Sequence, residues 1–307
     1  MTDTVEFHVQ DGVGHIILRR PEALNALTPD MIWQISARLT AWRTDDEVAS
    51  LDISGEGRAY CAGADVRWMR TVILEEGLNA ALHFLDDEYA MDRLVAEFGK
   101  PVTTHLHGVS MGGGLGLGMH GSRRIAAADL ALAMPETQIG LWPDVGMLYE
   151  FSRLPGETGT WLAMTGTTID APTALALGLV DEVQGVDAPP EFDRTWIDEC
   201  FCGDDPAAII ARLEASQDNR ARGAAALIRS RSPLSVVITL AAIRRAARLV
   251  SVGAVLRQDS AIAHAILADC DVVEGVRAQL VDKDRDPHWS LGRLEDVDPS
   301  WAREVVA

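Results

Sequence analysis

Strand and helix patterns alternate through the first 190 residues, and this alternation restricts the possible folds more than any other feature of the sequence. Short apolar strands are predicted at 5–9 and 13–18, and the Asp-Gly pair between them indicates a β-hairpin. An amphipathic helix is predicted from Pro29, with Thr28 as its N-cap, and a further helix at 73–98. Alternation of this kind is typical of an α/β protein.

The pattern changes near Pro190, where the strand signals end. From there on, apolar residues recur at helical spacing in segments 206–216, 221–229, 233–249 and 253–268. The sequence therefore predicts two regions, an α/β core at 1–190 and a helical region at 191–307.

The charge balance argues against two classes of partner. The 307 residues include 46 acidic and 27 basic ones, which gives a formal net charge of −19. A surface this acidic repels nucleic acid and anionic membranes, so neither is expected as a partner. The amino terminus lacks a signal-peptide pattern, and no apolar stretch approaches the roughly 20 residues of a membrane span.

Four cysteines occur, and no two of them form a C-x-x-C pair. Such usage is typical of reduced thiols, so we expect a cytoplasmic protein. Histidines, cysteines and carboxylates show no cluster with metal-ligand spacing, and no metal is therefore predicted.

A glycine-rich loop at 107–121 permits two interpretations. Residues 108–112, with Ser110 at their centre, fit the G-x-S-x-G pattern of a nucleophile elbow. The triad partners would be Asp181 and His264, and neither lies in a distinctive setting. The glycines alone are typical of a tight turn, but a second small-residue loop, 59–65, also follows a strand. Two such loops can each direct one backbone N–H at a carbonyl oxygen.

Four segments carry a resemblance to a known family. They occur in the family's order and spacing: "RPEALNALTPDM" (20–31), "GRAYCAGADVRWM" (57–69), "GKPVTTHLHGVSMGGGLGL" (99–117) and "MPETQIGLWPDVG" (134–146). In these segments the chain resembles the crotonase, or enoyl-CoA hydratase/isomerase, superfamily. The resemblance implies an α/β spiral of ββα units at 1–190, where acyl-CoA substrates bind and react. It also implies that the helical region at 191–307 serves as a lid and forms trimers or multiples of them.

The resemblance also implies an oxyanion hole made of two backbone N–H groups. Carried onto this sequence, the two groups belong to Ala64 and Gly113, and Ala62, Gly63 and Ala64 would bind coenzyme A. Coenzyme A is then part of the substrate, and no separate cofactor is expected. On this interpretation, which we call the cradle interpretation, the loop binds the substrate through its backbone N–H groups, and Ser110 has no catalytic role.

Side chains decide the reaction within the superfamily. Hydratases that the chain resembles carry two glutamates; the position of the first is Gly116 here, and the second is present as Glu136. The "PET…GLWPDVG" combination adds Asp144, and with "SPLSV" (232–236) and 274–289 it resembles the 3-hydroxyisobutyryl-CoA hydrolases of the superfamily.

This closer resemblance implies hydrolysis of a short β-hydroxyacyl-CoA thioester, 3-hydroxyisobutyryl-CoA, in valine catabolism. Glu136 would act as nucleophile or general base, and Asp144 would bind the substrate hydroxyl or carry a proton. The "DDEY" segment supplies Glu88, so the expected substrate contacts are Glu88, Gly113, Glu136 and Asp144.

Simpler interpretations of the three acids stay open at the level of the sequence. Glu136 after Pro135 can cap a helical turn, Asp144 can form a turn, and Glu88 can be a solvated helix residue. Three functions also stay open besides the hydrolase: an enoyl-CoA hydratase, a dienoyl-CoA isomerase, and a CoA-binding protein without catalysis.

Overall fold

The computed structural model describes residues 4–186, 188–269 and 271–307. Strands in these ranges are short: β1 (Val5–Gln10), β2 (Val13–Leu18), β3 (Ser50–Gly55), β4 (Ala59–Cys61), β5 (Val102–Leu106), β6 (Val109–Met111), β7 (Arg123–Ala126), β8 (Ala131–Ala133), β9 (Ile169–Asp170) and β10 (Glu182–Val183). The first two form the predicted antiparallel hairpin. Its turn residues, Asp11 and Gly12, have φ of 51° and 80°, as a two-residue hairpin turn requires.

Helices account for much of the remaining chain. They are α1 (Pro29–Arg43), α2 (Val66–Glu76), α3 (Leu78–Ala96), α4 (Gly113–Met119), α5 (Met147–Phe151), α6 (Thr158–Thr165), α7 (Ala171–Ala176), α8 (Thr195–Cys200), α9 (Pro206–Ala215), α10 (Asn219–Arg229), α11 (Pro233–Ala246), α12 (Val252–Ile266), α13 (Asp271–Val276) and α14 (Pro299–Val306). The hydroxyl of Thr28 caps α1 by accepting a 3.3 Å bond from the N–H of Met31, as predicted.

From β3 to β8, successive strands alternate between two sheets. The larger sheet has the order β1-β2-β3-β5-β7-β10, and the smaller one has the order β4-β6-β8-β9. Each of the pairs β3/β4, β5/β6 and β7/β8 places one strand in each sheet, and helical structure follows each pair. Apart from β1–β2 and β8–β9, the paired strands are parallel. The α/β spiral of ββα units is thereby confirmed.

The single helix expected at 73–98 is wrong in its start and in its continuity. Two helices, α2 and α3, occupy this part of the chain, and they break at Gly77, whose φ is 91°. A left-handed φ is strained for other residues, so Gly77 ends α2 while its N–H bonds to the carbonyls of Val72 and Ile73. The Asp65 carboxylate caps the true start of α2 by accepting from the N–H of Trp68.

The carboxyl-terminal helices agree with the apolar periodicity of the sequence to within three residues at their ends. The division of function at residue 190 stays a prediction. Helix α12 packs against α3, and α13 packs against the 3₁₀ turn at Glu136–Ile139. The helical region therefore covers the face of the spiral on which the candidate residues lie.

No single helix in the described ranges is long and apolar enough to cross a membrane. The pair α10 and α11 passes that test only when joined, and the two helices are bent by 116°.

Candidate active site

Two glycines bring the loop after β4 into close contact with the start of α4. A Cβ atom built on Gly63 (φ 102°) would lie 3.1 Å from the backbone N of Gly113. A Cβ built on Gly113 would lie 3.1 Å from the backbone N of Ala64. Both distances are tighter than ordinary side-chain contacts, so the absence of Cβ atoms is what lets the two N–H groups lie side by side.

Both of these N–H groups are free to bind a ligand. Gly113 is the first residue of α4, so its N–H has no acceptor within the helix. No turn or loop hydrogen bond in the described part of the chain uses the N–H of Ala64 or of Gly113. Two adjacent free backbone donors are what stabilisation of an oxyanion requires. The assignment of this role to the two residues stays a prediction.

The loops open into a cavity of about 820 Å³. Its walls include every site residue that the family resemblance implies: Ala62, Gly63, Ala64, Glu88, Gly113, Glu136 and Asp144. The structure thus brings together residues that are up to 82 positions apart (from 62 to 144). Several apolar side chains and a group of C-terminal polar residues complete the wall: Met69, Leu85, Met111, Ile139, Arg231, Arg285 and Trp289.

Ser110 does not belong to a catalytic triad in this structure. Its side chain is buried, and its hydroxyl donates to the carbonyl of His107 at 3.3 Å. Asp181, the acid that a triad would need, forms an ion pair with Arg124 at 3.0 Å. The cradle interpretation of the glycine loop is therefore the one that the contacts favour.

Glu136 begins the 3₁₀ turn that follows β8 and Pro135. It does not cap this turn, because Pro135 holds the N-cap position and no side chain caps it. Glu136 is 7% exposed, and its Oε2 atom is buried without a hydrogen-bond partner among the described residues. Burial, and then the negative charge of Asp144, raises the pKa of Glu136 well above its ordinary value. Once ionised, such a buried carboxylate can act as a base or a nucleophile.

Asp144 lies in the loop between the 3₁₀ turn and α5, and it is 6% exposed. The Tyr89 hydroxyl donates a 2.7 Å hydrogen bond to its Oδ2 atom. Burial raises the pKa of Asp144 to about 6, and the bond from Tyr89 opposes part of that rise. The carboxyl can therefore change its protonation near neutral pH.

Glu88 projects from α3 and is buried, so the solvated-surface interpretation of this residue is wrong. Its Oε1 atom has no partner among the described residues. A Cβ on Gly113 would overlap the Glu88 carboxyl, so the glycine makes room for this side chain as well as for the neighbouring N–H group. Burial, and then Asp144, raises the pKa of Glu88. Helix α3 therefore adds a third acid to the cavity.

Asp92 lies one helical turn after Glu88, and sequence reasoning missed it. It is fully buried, and neither carboxyl oxygen has a partner in the described part of the chain. A Cβ on Gly116 would lie 2.6 Å from Cγ of Asp92, so the carboxyl fills the space next to that glycine. The sequence does contain a signal for Asp92: it lies four residues after Glu88, so the two acids share the apolar face of one helix.

Two further residues were also missed. Tyr89 follows Glu88 directly, and only tertiary packing reveals its bond to Asp144. Arg231 lines the cavity with a side chain that is mostly buried and bonds twice to the carbonyl of Thr165, at 3.1 and 2.8 Å. Burial lowers the pKa of Arg231 to about 10, so the group stays charged at neutral pH and supplies a cation to the cavity that the acids line.

A second cleft, of about 560 Å³, adjoins the main cavity. The two share Leu24, Ala62, Ala64, Val66 and Leu280 in their walls. Four basic side chains line this second cleft: Arg20, Arg58, Arg67 and Lys283. Two acids, Glu22 and Asp65, line it as well, and Asp65 pairs with Arg20 at 3.0 Å. Four basic and two acidic side chains still give this cleft an excess of positive charge, in a chain with a net charge of −19. As for metals, no group of three or more potential ligands occurs among the described residues.

The spiral of ββα units defines the fold class, and comparison with known proteins identifies the family. The family model for enoyl-CoA hydratase/isomerase matches residues 13–192 and 182–306. The chain belongs to this family, the crotonase family.

Individual relatives carry different names. A probable 3-hydroxyisobutyryl-CoA hydrolase of Arabidopsis thaliana is 33% identical over 93% of this chain and 86% of its own length. The small ribosomal subunit protein mS47 of Schizosaccharomyces pombe is 30% identical over 94% and 77%. The structure of a carnitinyl-CoA dehydratase from Mycobacterium thermoresistibile superposes with a TM-score of 0.92 at 36% identity, covering 100% of this chain and 97% of that one.

Proposed function

We propose that this enzyme hydrolyses a short β-hydroxyacyl-CoA thioester, with 3-hydroxyisobutyryl-CoA as the preferred substrate and 3-hydroxyisobutyrate and coenzyme A as products. One observation carries the proposal: Glu136 and Asp144 line the same cavity, while Gly116 offers no side chain to it. The two-glutamate addition of water by the hydratases needs a carboxyl from that position. The name of the Arabidopsis relative supports the same reaction.

The two free N–H groups act first on the substrate. The thioester carbonyl oxygen accepts hydrogen bonds from the N–H groups of Ala64 and Gly113, which hold the negative charge as the carbonyl carbon becomes tetrahedral. Loss of one such donor typically costs about 3 kcal/mol of transition-state stabilisation. In this position the acyl group lies next to Glu136, whose Oε2 atom is without a partner among the described residues.

Glu136 then acts in one of two ways. As a nucleophile, its oxygen bonds to the carbonyl carbon, the C–S bond breaks, and the leaving thiolate takes a proton from Asp144. Water then cleaves the mixed anhydride, which releases the acid, and a proton of that water returns to Asp144. As a general base, it takes a proton from water, hydroxide adds to the carbonyl carbon, and that proton passes to the departing thiolate. Both routes convert one thioester and one water into one acid and one thiol.

Asp144 binds the β-hydroxyl of the substrate in this proposal. A carboxyl with a pKa of about 6 can accept a hydrogen bond when ionised and donate a proton when neutral. Glu88 lines the same cavity and adds a second contact to the acyl part. In this proposal the coenzyme A portion extends past Ala62 and Gly63 into the second cleft, and basic side chains that line the cleft, Arg58 and Lys283 among them, bind its phosphates.

Two observations favour other functions. The structurally similar carnitinyl-CoA dehydratase indicates hydration or dehydration of an acyl-CoA. The similarity to a ribosomal protein indicates that this fold also occurs in a structural role. A dienoyl-CoA isomerase is a weaker alternative, because it would need a second acid at Gly116.

Release of free thiol is the decisive measurement. Purified protein, without added metal or nucleotide, should release coenzyme A from 3-hydroxyisobutyryl-CoA faster than from crotonyl-CoA or acetyl-CoA. The Glu136→Gln variant, which keeps the shape of the side chain, should lose nearly all of this activity. Rapid hydration of crotonyl-CoA without thiol release would identify a hydratase instead, and saturable acyl-CoA binding without either reaction would identify a binding protein.

Three wider expectations accompany the proposal. Production of 3-hydroxyisobutyrate would place the enzyme in valine catabolism. Trimers or multiples of them are proposed for the assembly. A cytoplasmic location stays a prediction from the sequence.

A further inference from the structure

A buried carboxyl on α12 holds the loop that carries Asp144 from both sides. Asp259 accepts a 3.0 Å hydrogen bond from the indole N–H of Trp142 on one oxygen. Its other oxygen accepts a 2.9 Å hydrogen bond from the backbone N–H of Gly146. The two donors flank Asp144 at two residues before it and two residues after it. Asp259 is fully buried and lies outside the wall of the main cavity.

The segment between these two bonds has an unusual backbone. Val145 has φ of 49° and Gly146 has φ of 76°. A left-handed conformation is rare for a β-branched residue, and it persists only where the surroundings enforce it. The Val145 carbonyl accepts a 2.8 Å bond from Nε2 of His120, whose ring is buried. Contacts from α4 and α12 thus fix a conformation that the chain would not adopt by itself.

We propose that Asp259 is a positioning residue for Asp144: by bonding to Trp142 and Gly146 it sets the direction in which the Asp144 carboxyl enters the cavity. The effect is indirect, since Asp259 contacts neither the cavity nor the substrate. Tyr89 bonds to the Asp144 carboxyl itself, whereas Asp259 holds the backbone that carries it. The helical C-terminal region therefore contributes to the site by placing a residue of the spiral. This inference rests on the proposed function in that it takes Asp144 as a substrate contact.

Distance explains why a small shift in this loop matters. A shift of about 1 Å in the position of a group that contacts the substrate can reduce turnover by roughly 100-fold. Asp259→Asn keeps one acceptor but turns an NH₂ group toward an N–H donor, so one of the two bonds is lost. We expect kcat to fall by about 10-fold to 100-fold, with a smaller change in KM.

A double-mutant cycle tests the proposal. Asp259→Asn is combined with Asp144→Asn, and single-turnover rates of thiol release are measured at saturating substrate. If Asp259 acts through Asp144, its replacement should cost less than about 3-fold in the Asp144→Asn background. The matched control is Asp271→Asn, because Asp271 is another buried acid of the helical region and accepts bonds from Ser232 and Ser290.

The control separates positioning from general destabilisation. Asp271→Asn should change the rate by the same factor in both backgrounds. Equal factors for Asp259→Asn as well would overturn the proposal. If Asp259→Asn does not fold, Trp142→Phe removes one donor and leaves the carboxyl in place; it should show the same dependence on Asp144 with a smaller loss.

Failure of the proposed function gives a different result. Wild-type protein would then release no thiol, and crystal structures of the Asp259→Asn and Asp271→Asn variants would decide the inference. Displacement of the Asp144 carboxyl by about 1 Å or more in the first variant alone would support it, on the scale at which geometry affects catalysis. An unmoved carboxyl in both variants would overturn it.

Discussion

The Tyr89 hydroxyl donates a 2.7 Å hydrogen bond to Oδ2 of Asp144 and so links α3 to the loop before α5. Both residues are buried, at 4% and 6% exposure. The bond favours the ionised form of Asp144 and thereby limits the rise in its pKa that burial causes. Because Glu88 precedes Tyr89 on the same helix, α3 both supplies one acid to the cavity and orients another.

Replacement of Tyr89 by Phe should reduce kcat for thiol release by about 10-fold, since a hydrogen bond to a charged group contributes roughly 1.5–3 kcal/mol. Loss of the bond also removes one cause that lowers the pKa of Asp144, so that pKa should rise. Steady-state kinetics across pH measure both effects. Tyr149→Phe is the matched control, because the Tyr149 ring packs against the Arg153 guanidinium instead. Unchanged kinetics in Tyr89→Phe would show that the bond does not matter to the reaction.

The pH dependence of the reaction follows from the interaction between two acids. Glu136 must be ionised to act, and burial raises its pKa, so kcat/KM should increase as pH rises above the ordinary range of a glutamate. The negative charge of Asp144 raises the pKa of Glu136 further. Asp144→Asn removes that charge, and the rising limb of the profile should therefore move to lower pH. A limb that stays in place or moves to higher pH would show that the two carboxyls are not coupled in this way.

Local patterns in the sequence were sufficient for much of the fold. The hairpin, α1 and the C-terminal helices follow from periodicity and capping within a few residues, because those signals are local. The break at Gly77 was missed, since a glycine within an apolar helical pattern does not by itself show a left-handed φ. The family motifs likewise led to Glu136 and Asp144.

The supporting residues required the tertiary structure. Tyr89 is 55 positions from its partner Asp144, and Asp259 is 117 positions from its partner Trp142. Nothing in their local sequence indicates these bonds, because helix packing alone brings the partners together. For the same reason the sequence interpretation treated Gly116 only as a missing acid, whereas the structure shows the Asp92 carboxyl beside it.

Isotope labelling should distinguish the two roles of Glu136. A single turnover in ¹⁸O-water places label in the Glu136 carboxyl if water opens a mixed anhydride at the enzyme's carbonyl. The general-base route places the solvent oxygen directly in the product. Mass spectrometry of the peptide that contains Glu136 measures the difference, and enzyme kept in ¹⁸O-water without substrate controls for exchange. Label found only in the product would argue against anhydride opening at the enzyme's carbonyl.

Ser110→Ala should retain most of the thioesterase activity. The Ser110 hydroxyl bonds to the carbonyl of His107 within the strand-to-loop connection, and its loss should cost about 1 kcal/mol of folding stability. Activity assays and thermal denaturation measure the two effects separately, with Glu136→Gln as the inactive reference. A loss of several orders of magnitude in activity would instead support Ser110 as the nucleophile of a nucleophile elbow.

Gly116 and Asp92 should behave as a coupled pair in stability. Gly116→Ala places a Cβ 2.6 Å from Cγ of Asp92, in a core where the carboxyl is fully buried and cannot move toward solvent. We expect a loss of about 1–3 kcal/mol in the free energy of unfolding, as is typical of overpacking. Asp92→Ala removes the obstructing carboxyl, so the same glycine replacement should cost much less in that background.

Gly223→Ala is the control: no atom lies within 4 Å of a Cβ at Gly223 on α10, and alanine should stabilise that helix. Chemical denaturation of the four variants completes the cycle, and equal costs for Gly116→Ala in both backgrounds would show that Asp92 does not determine why residue 116 is glycine.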